Sequence, residues 1–241
     1  NVYCKYLELD PQQIGYQFYE EERIVPDLHA RGFLSKPVYG KTRKNVNRIA
    51  VFPGEDFDWE QDEHPMLSYR ESVCYCMHVR GFTMHASSKV THRGTFAGIA
   101  EKLDYLQEIG ITTVELQPVY EFDETPEEVN KKTSADADIV ATAGENGGEL
   151  PGYRVLNYWG YREGFYYAPT AAYAAGEDAA LEFRQLVKEF HKRRMEVILQ
   201  FYFPKGMDVT EIGNILRFWV LTYHVDGFHL MGEVPAQALA G

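Results

Sequence analysis

The clearest hydrophobic pattern begins at Val73, where Val73, Tyr75, Met77 and Val79 alternate with Cys74, Cys76 and His78. Period-two alternation in β-branched and aromatic residues predicts a strand. After Gly81 and a polar loop, Phe96, Ile99, Ala100, Leu103 and Leu106 recur at helical spacing, with Thr95 placed to cap a helix and Gly110 to end it. Ile111 to Val119 then reads as a mostly buried strand closed by Pro118. A strand, a covering helix and a second strand of these lengths predict a right-handed parallel crossover.

The unit repeats. A helix from Glu177 to about Arg194 carries Phe183, Leu186, Val187 and Phe190 on one face and Glu182, Lys188, Glu189 and Lys192 elsewhere. Val197 to Phe203 is an apolar run of strand length. Asp208-Val209-Thr210-Glu211 is a variant capping box ahead of an amphipathic helix built on Ile212, Ile215, Leu216, Trp219, Val220 and Tyr223. Val225 to Met231 reads as a fourth strand. Strands starting near Val73, Thr112, Glu196 and Gly227, with a helix between each consecutive pair, predict parallel α/β architecture. The pattern alone fits an open doubly wound sheet or part of a (β/α)8 barrel. No Gly-x-Gly-x-x-Gly or phosphate-cradling loop follows a strand, which lowers the nucleotide-binding alternative.

Residues 1–70 show weak periodicity, broken at Asp10-Pro11, Val25-Pro26 and Lys36-Pro37, and read as an extended lead-in with short strands, among them Asn47 to Phe52. Within it, Phe57 and Trp59 are expected to pin the acidic Asp56 to Glu60 stretch to the outside of the domain. Residues 71–241 form the α/β part, interrupted by a long loop at 122–176. Its first half is acidic and then glycine-rich, so partial disorder is expected there; from Pro151 to Tyr173 it is dense in aromatics and must fold down onto the domain.

Composition narrows the chemistry. Twenty-four basic against thirty-six acidic residues give a formal charge of −12, which opposes nonspecific binding to nucleic acid or anionic membrane and suits a neutral or cationic ligand. Aromatic residues make up 14% of the chain, which suits stacking on sugars as well as plain packing. Of the three cysteines, Cys74 and Cys76 share one strand face and do not suit a disulfide with each other; sparse cysteines point to reduced thiols and a cytoplasmic location, although export stays open. No apolar run approaches about twenty residues, so no membrane span is expected.

Four blocks in order carry a family likeness: Cys76-Met77-His78-Val79-Arg80-Gly81-Phe82-Thr83, Arg93-Gly94-Thr95-Phe96-Ala97-Gly98, Thr113 to Phe122, and Asn157-Tyr158-Trp159-Gly160-Tyr161 with Phe165 to Pro169. From about Asp56 to Glu233 the chain resembles the alpha-amylase family, glycoside hydrolase family 13, in its isoamylase, glycogen-debranching and pullulanase branch. The resemblance implies the first four β/α units of a (β/α)8 barrel, with the long loop helping to build a sugar cleft at the carboxyl ends of the strands.

Retaining glycosidases need two carboxyl groups about 5–5.5 Å apart, one to attack the anomeric carbon and one to protonate the leaving oxygen. The family carries its nucleophilic Asp at the end of the fourth strand, two residues after an orienting Arg. The matching run here is Asp226-Gly227-Phe228-His229-Leu230-Met231, so His229 replaces the Arg and Met231 the nucleophile. On the third strand Gln200 stands for the family's Asp, with Pro204 and Lys205 for its Asn-His pair. A thioether cannot form the ester intermediate that a carboxylate forms, so loss of hydrolysis is expected. Glu233, two residues beyond Met231, would share its face if the strand continued. Glu115 reads as a satisfied carboxylate of the barrel interior or helix side, Glu121 as loop surface, and His78 as structural. His229, His224 and Glu233 lack metal-binding spacing, and neither metal nor cofactor is implied.

Binding could persist without catalysis, because aromatic faces stack on the C–H faces of sugars. Tyr161 matches the family aromatic that stacks beside the scissile bond, with Trp159 and Tyr158 next to it; alternatively this block merely packs the loop onto the barrel. The expected role is a non-hydrolytic module that binds or scaffolds an alpha-glucan. The alternatives are a debranching hydrolase completed by a longer chain or partner, and a homodimer that covers unpaired strand edges.

Overall fold

Four parallel strands frame the molecule, and the segment before them is held against their flank by short antiparallel pieces. The computed structural model describes residues 8–10, 14–34, 37–41, 48–54, 56–125 and 156–239. The lead-in contributes β1 (Gly15–Tyr16), β2 (Phe18–Glu20), β3 (Arg23–Val25), β4 (Phe33–Leu34) and β5 (Ile49–Val51), paired as a β1-β5-β4 sheet and a β2-β3 hairpin. The main sheet begins with β6 (Cys74–Met77), and its strand order is β6, β7 (Thr113–Leu116), β10 (Glu196–Phe203) and β11 (Gly227–Gly232), every neighbour parallel. A second antiparallel pair, β8 (Tyr120–Phe122) with β9 (Gly164–Pro169), sits between β7 and the third strand.

The first strand is shorter than its alternation suggested. It ends at Met77, and Val79–Met84 forms helix α1 because His78 Nδ1 accepts from the Gly81 backbone N–H and turns the chain into a helical start. The helix expected after Thr95 is split into α2 (Phe96–Ala100) and α3 (Leu103–Glu108), with Thr95 capping the first through the Gly98 N–H. Helix α4 (Ala179–Lys192) starts on Asp178, which accepts from Leu181 N–H at 2.8 Å. Helix α5 (Val209–Tyr223) starts on Asp208, which accepts from the N–H groups of Thr210 and Glu211.

Burial follows strand parity. Val197, Leu199, Phe201 and Phe203 of β10 lie fully under the helices, and Val114 and Leu116 of β7 do the same. Around Phe201 the rings of Tyr120 and Trp219 stand at 5.0 and 5.5 Å, while Trp219 Nε1 donates to the Tyr166 carbonyl at 2.7 Å. Each such aromatic, taken out of water, contributes on the order of 2–3 kcal/mol. This layer decides which residues are left for the other face of the sheet.

Two expectations for the long loop change. Its second half is not merely folded down: Gly164–Pro169 is a strand, paired with β8, and Phe165 meets Phe33 of the lead-in at 5.1 Å. Glu121, expected at the loop surface, is instead buried at 2% exposure. It accepts from the Ala171 N–H at 2.8 Å and faces the buried guanidinium of Arg48 at 3.8 Å, because pairing β8 with β9 turns it inward against the lead-in. Arg48 also bonds Asp123 and lies 5.0 Å over the Phe165 ring. The stretch 126–155, which includes the glycine-rich part expected to be disordered, lies outside the described residues, as does Cys4.

Arg48 and Glu121 form a buried ion pair, and removing one member of such a pair strands the other charge, which costs about 3–5 kcal/mol. Arg48→Ala is therefore expected to destabilise the fold by roughly that amount in urea unfolding, and a loss under about 1 kcal/mol would show that the pair is not what ties the lead-in down.

Candidate functional site

With the odd-numbered residues of β10 under the helices, Ile198, Gln200 and Tyr202 face the other way. Register then fixes their neighbours: Cys76 lies across from Glu115, Glu115 across from Ile198, Gln200 across from His229, and Tyr202 across from Met231. The inner face is thus a polar one. Gln200 is its centre, donating through Nε2 to Glu115 Oε1 and accepting at Oε1 from the Tyr161 hydroxyl at 2.5 Å. His229 Nδ1 meets the same Glu115 oxygen at 2.6 Å, and the Cys74 thiol donates to the other at 3.8 Å.

Electrostatics follow from this arrangement. Burial pushes the Glu115 carboxyl up, but the hydrogen bonds from Gln200 and His229 more than offset it and hold the group below the ordinary value of 4.5. Burial and the Glu115 charge push the Cys74 and Cys76 thiols up, so neither is an activated nucleophile. Burial also raises the Tyr161 phenol, assisted by Cys76 and Glu115, which leaves it a neutral donor to Gln200.

The aromatic block divides into a packed part and an open part. Tyr158 stacks on His78 with centroids 4.3 Å apart, and its carbonyl accepts from Tyr39 at 2.7 Å and from His78 Nε2 at 2.8 Å. Because His78 Nδ1 accepts from Gly81, Nε2 must carry the proton; burial lowers the imidazole pKa and keeps it neutral. Gly160 has φ +77°, and a Cβ there would lie 2.6 Å from Phe122 Cε1, so only glycine lets the chain turn between Trp159 and Tyr161. Trp159 is 53% exposed, with its edge against Tyr158, and Tyr161 is half-buried over Gln200.

The structure brings Gln200, His229 and Tyr161 into one network and leaves Met231 beyond it, half-buried on the same face. It does not bring Glu233 in. β11 stops at Gly232, whose φ is +87°, and Glu233 turns outward to Lys205 at 3.4 Å. His224 lies elsewhere, on Asp62. Glu115 does face the barrel interior, but its role as the hub was missed; polar residues at alternate positions of adjacent strands, Cys76, Glu115, Gln200 and His229, were the available clue. Tyr39, which holds Tyr158 from the lead-in, carried no clue in its local sequence.

Comparison with known proteins agrees with this geometry. The family described as "Alpha amylase, catalytic domain" matches residues 80–208, more than half of the chain. Chloroplastic isoamylase 1 of Arabidopsis thaliana is 35% identical over 213 residues, covering 83% of this chain and 25% of the relative. A glycogen debranching enzyme of Pectobacterium atrosepticum is 34% identical over 237 residues, covering 77% and 33%. Among solved structures, a Group B Streptococcus pullulanase superposes with a TM-score of 0.66 at 21% identity over 94% of this chain and 34% of that one. A Paenibacillus barengoltzii pullulanase, solved with maltohexaose and alpha-cyclodextrin, gives 0.59 at 20% identity over 85% and 36%.

The chain belongs to the alpha-amylase family, whose catalytic domain is a TIM barrel. Within it the likeness runs to the isoamylase, glycogen-debranching and pullulanase branch. The chain spans about a quarter of the length of the isoamylases it matches. Among the described residues no helix is long and apolar enough to cross a membrane.

A carboxyl group whose folded-state pKa is depressed adds stability above its unfolded value, and that contribution is lost as pH falls through the folded one. Glu115→Gln is expected to be less stable than the parent at pH 7, with the gap closing as pH falls below about 4.5. Urea unfolding of both proteins across pH 3–7 checks this, and a gap independent of pH would contradict it.

Proposed function

We propose that this chain is a four-unit portion of an alpha-amylase-type barrel, preceded by a lead-in over residues 1–70, that binds or scaffolds an alpha-glucan without hydrolysing it. The observation that carries this reading is Met231 at the strand-end position where the family places its nucleophilic carboxylate. Gln200 and His229, in place of the family's Asp and Arg, support it. The inward carboxylate Glu115 is engaged by Gln200 and His229, and its depressed pKa disfavours proton donation. Trp159 and Tyr161 supply stacking faces, while Tyr158 serves chiefly to hold their loop. A fold relative solved with maltohexaose supports a glucan as the ligand class.

A second reading, a debranching hydrolase completed by a longer chain or a partner, draws on the 35% identity to an isoamylase. Among the described residues β6 and β11 are the edge strands of the sheet, and these edges and the 55% exposure of His229 fit either further barrel strands or a second copy of this chain over the inner face.

Maltohexaose is expected to quench tryptophan fluorescence of the chain, with at least a tenfold weaker Kd after Tyr161→Ala, while no reducing ends appear from glycogen or pullulan. Reducing ends that vanish in Glu233→Gln would favour the hydrolase instead. Light scattering of the purified chain is expected to show a dimer if a second copy provides the cover; a monomer that binds no hydrophobic dye would overturn that part.

A further inference from the structure

At the amino-terminal end of the strands, opposite the polar network, three parts of the chain meet. His64 Nδ1 of the lead-in lies 2.8 Å from Asp226 Oδ1, and His191 Nε2 of α4 lies 3.0 Å from Asp226 Oδ2. One ligand-type atom from each residue falls within 4.8 Å of the others. Each imidazole faces a different oxygen of the Asp226 carboxylate at hydrogen-bond distance, so an ion seated among the three would take the place of those bonds.

His191 is oriented as a ligand would be. Its far nitrogen, Nδ1, pairs with Asp62 Oδ1 at 2.9 Å, which fixes the ring; without an ion Nε2 is hydrogen-bonded to Asp226 Oδ2, and a bound ion would take the place of the Nε2 proton. Asp62 is itself fixed by His224 at 2.8 Å, and His224 is stacked on Trp59 at 3.8 Å. The second oxygen of the site has a fixed orientation too, since Asp226 Oδ2 accepts from the Val197 N–H at 2.7 Å. His191 is buried, whereas the His64 side chain is 42% exposed, which opens one side to solvent for entry of an ion and for a completing water.

We propose that His64, His191 and Asp226 form a structural site for a borderline divalent transition ion of the zinc class, with Asp62 as the positioning residue. Two imidazoles and one carboxylate suit that class better than calcium or magnesium, which favour oxygen ligands. The ion would staple residues 59–64 of the lead-in to α4 and to the start of β11. The site lies away from Met231, so its role is to hold the fold together. Sequence spacing could not reveal it, because the ligands are separated by more than a hundred residues and then by about thirty-five.

Zinc chloride titrated into the chelator-treated full chain by calorimetry is expected to bind one equivalent and to raise the melting temperature. His64→Ala, at a partly exposed position, is expected to keep the fold by circular dichroism and to weaken zinc binding at least tenfold. Asp62→Asn should weaken it about 10–100-fold. Cobalt(II) should give visible absorption bands of a four-coordinate nitrogen–oxygen site, without thiolate charge transfer. Absence of binding at 0.1 mM zinc to the folded parent chain overturns the proposal. So does binding that survives His64→Ala or disappears in Cys74→Ser/Cys76→Ser, because either places the ion elsewhere.

Discussion

Everything in this molecule hangs on the outward burial of one strand face. Val197, Leu199, Phe201 and Phe203 sink beneath α4 and α5, and the two-residue period of a strand leaves Ile198, Gln200 and Tyr202 no choice of direction. A slip of one residue would put Gln200 among aromatic rings and Phe201 in the polar interior, which several buried side chains at roughly 2–3 kcal/mol each forbid. Parallel register then carries the same parity across to Glu115 and His229.

The interior so formed is a connected set of polar groups. Tyr161 reaches in from the loop, Gln200 relays to Glu115, and His229 closes the set. An amide in that central place has a donor and an acceptor to offer, so it can join a phenol to a carboxylate; an ionised Asp could only accept. The third and fourth strands therefore present a hydrogen-bonded arrangement centred on Gln200 and Glu115. The loop above it is held independently by Tyr39, His78 and the turn at Gly160.

Local periodicity made the four main strands and the long helices legible, since each is an extended run with one dominant face and a side-chain cap. Their ends were less so. His78 looked like the next residue of an alternating strand, yet its ring serves a backbone N–H three residues on, a local choice that periodicity does not register. Glu121 looked like loop surface because nothing nearby in sequence announces Arg48, seventy-three residues earlier; a partner at that distance is known only once β8 has found β9. Gln200 and His229 lie far from Glu115 in the sequence, so their meeting on it follows only from register, and the outward turn of Glu233 only from the φ of Gly232.

Cys74 and Cys76 give the inner face a chemical memory of its surroundings. Both thiols are free and exposed, on the edge strand β6, beside Glu115, whose charge and their own partial burial hold them in the protonated form at neutral pH. Alkylation by a maleimide should consequently be slow and should quicken in mild alkali. Whatever lies against that face, whether more of the same polypeptide, a twin or a bound polysaccharide, would shield these sulfurs, so their rate of modification reports on the neighbour without any need to know it beforehand.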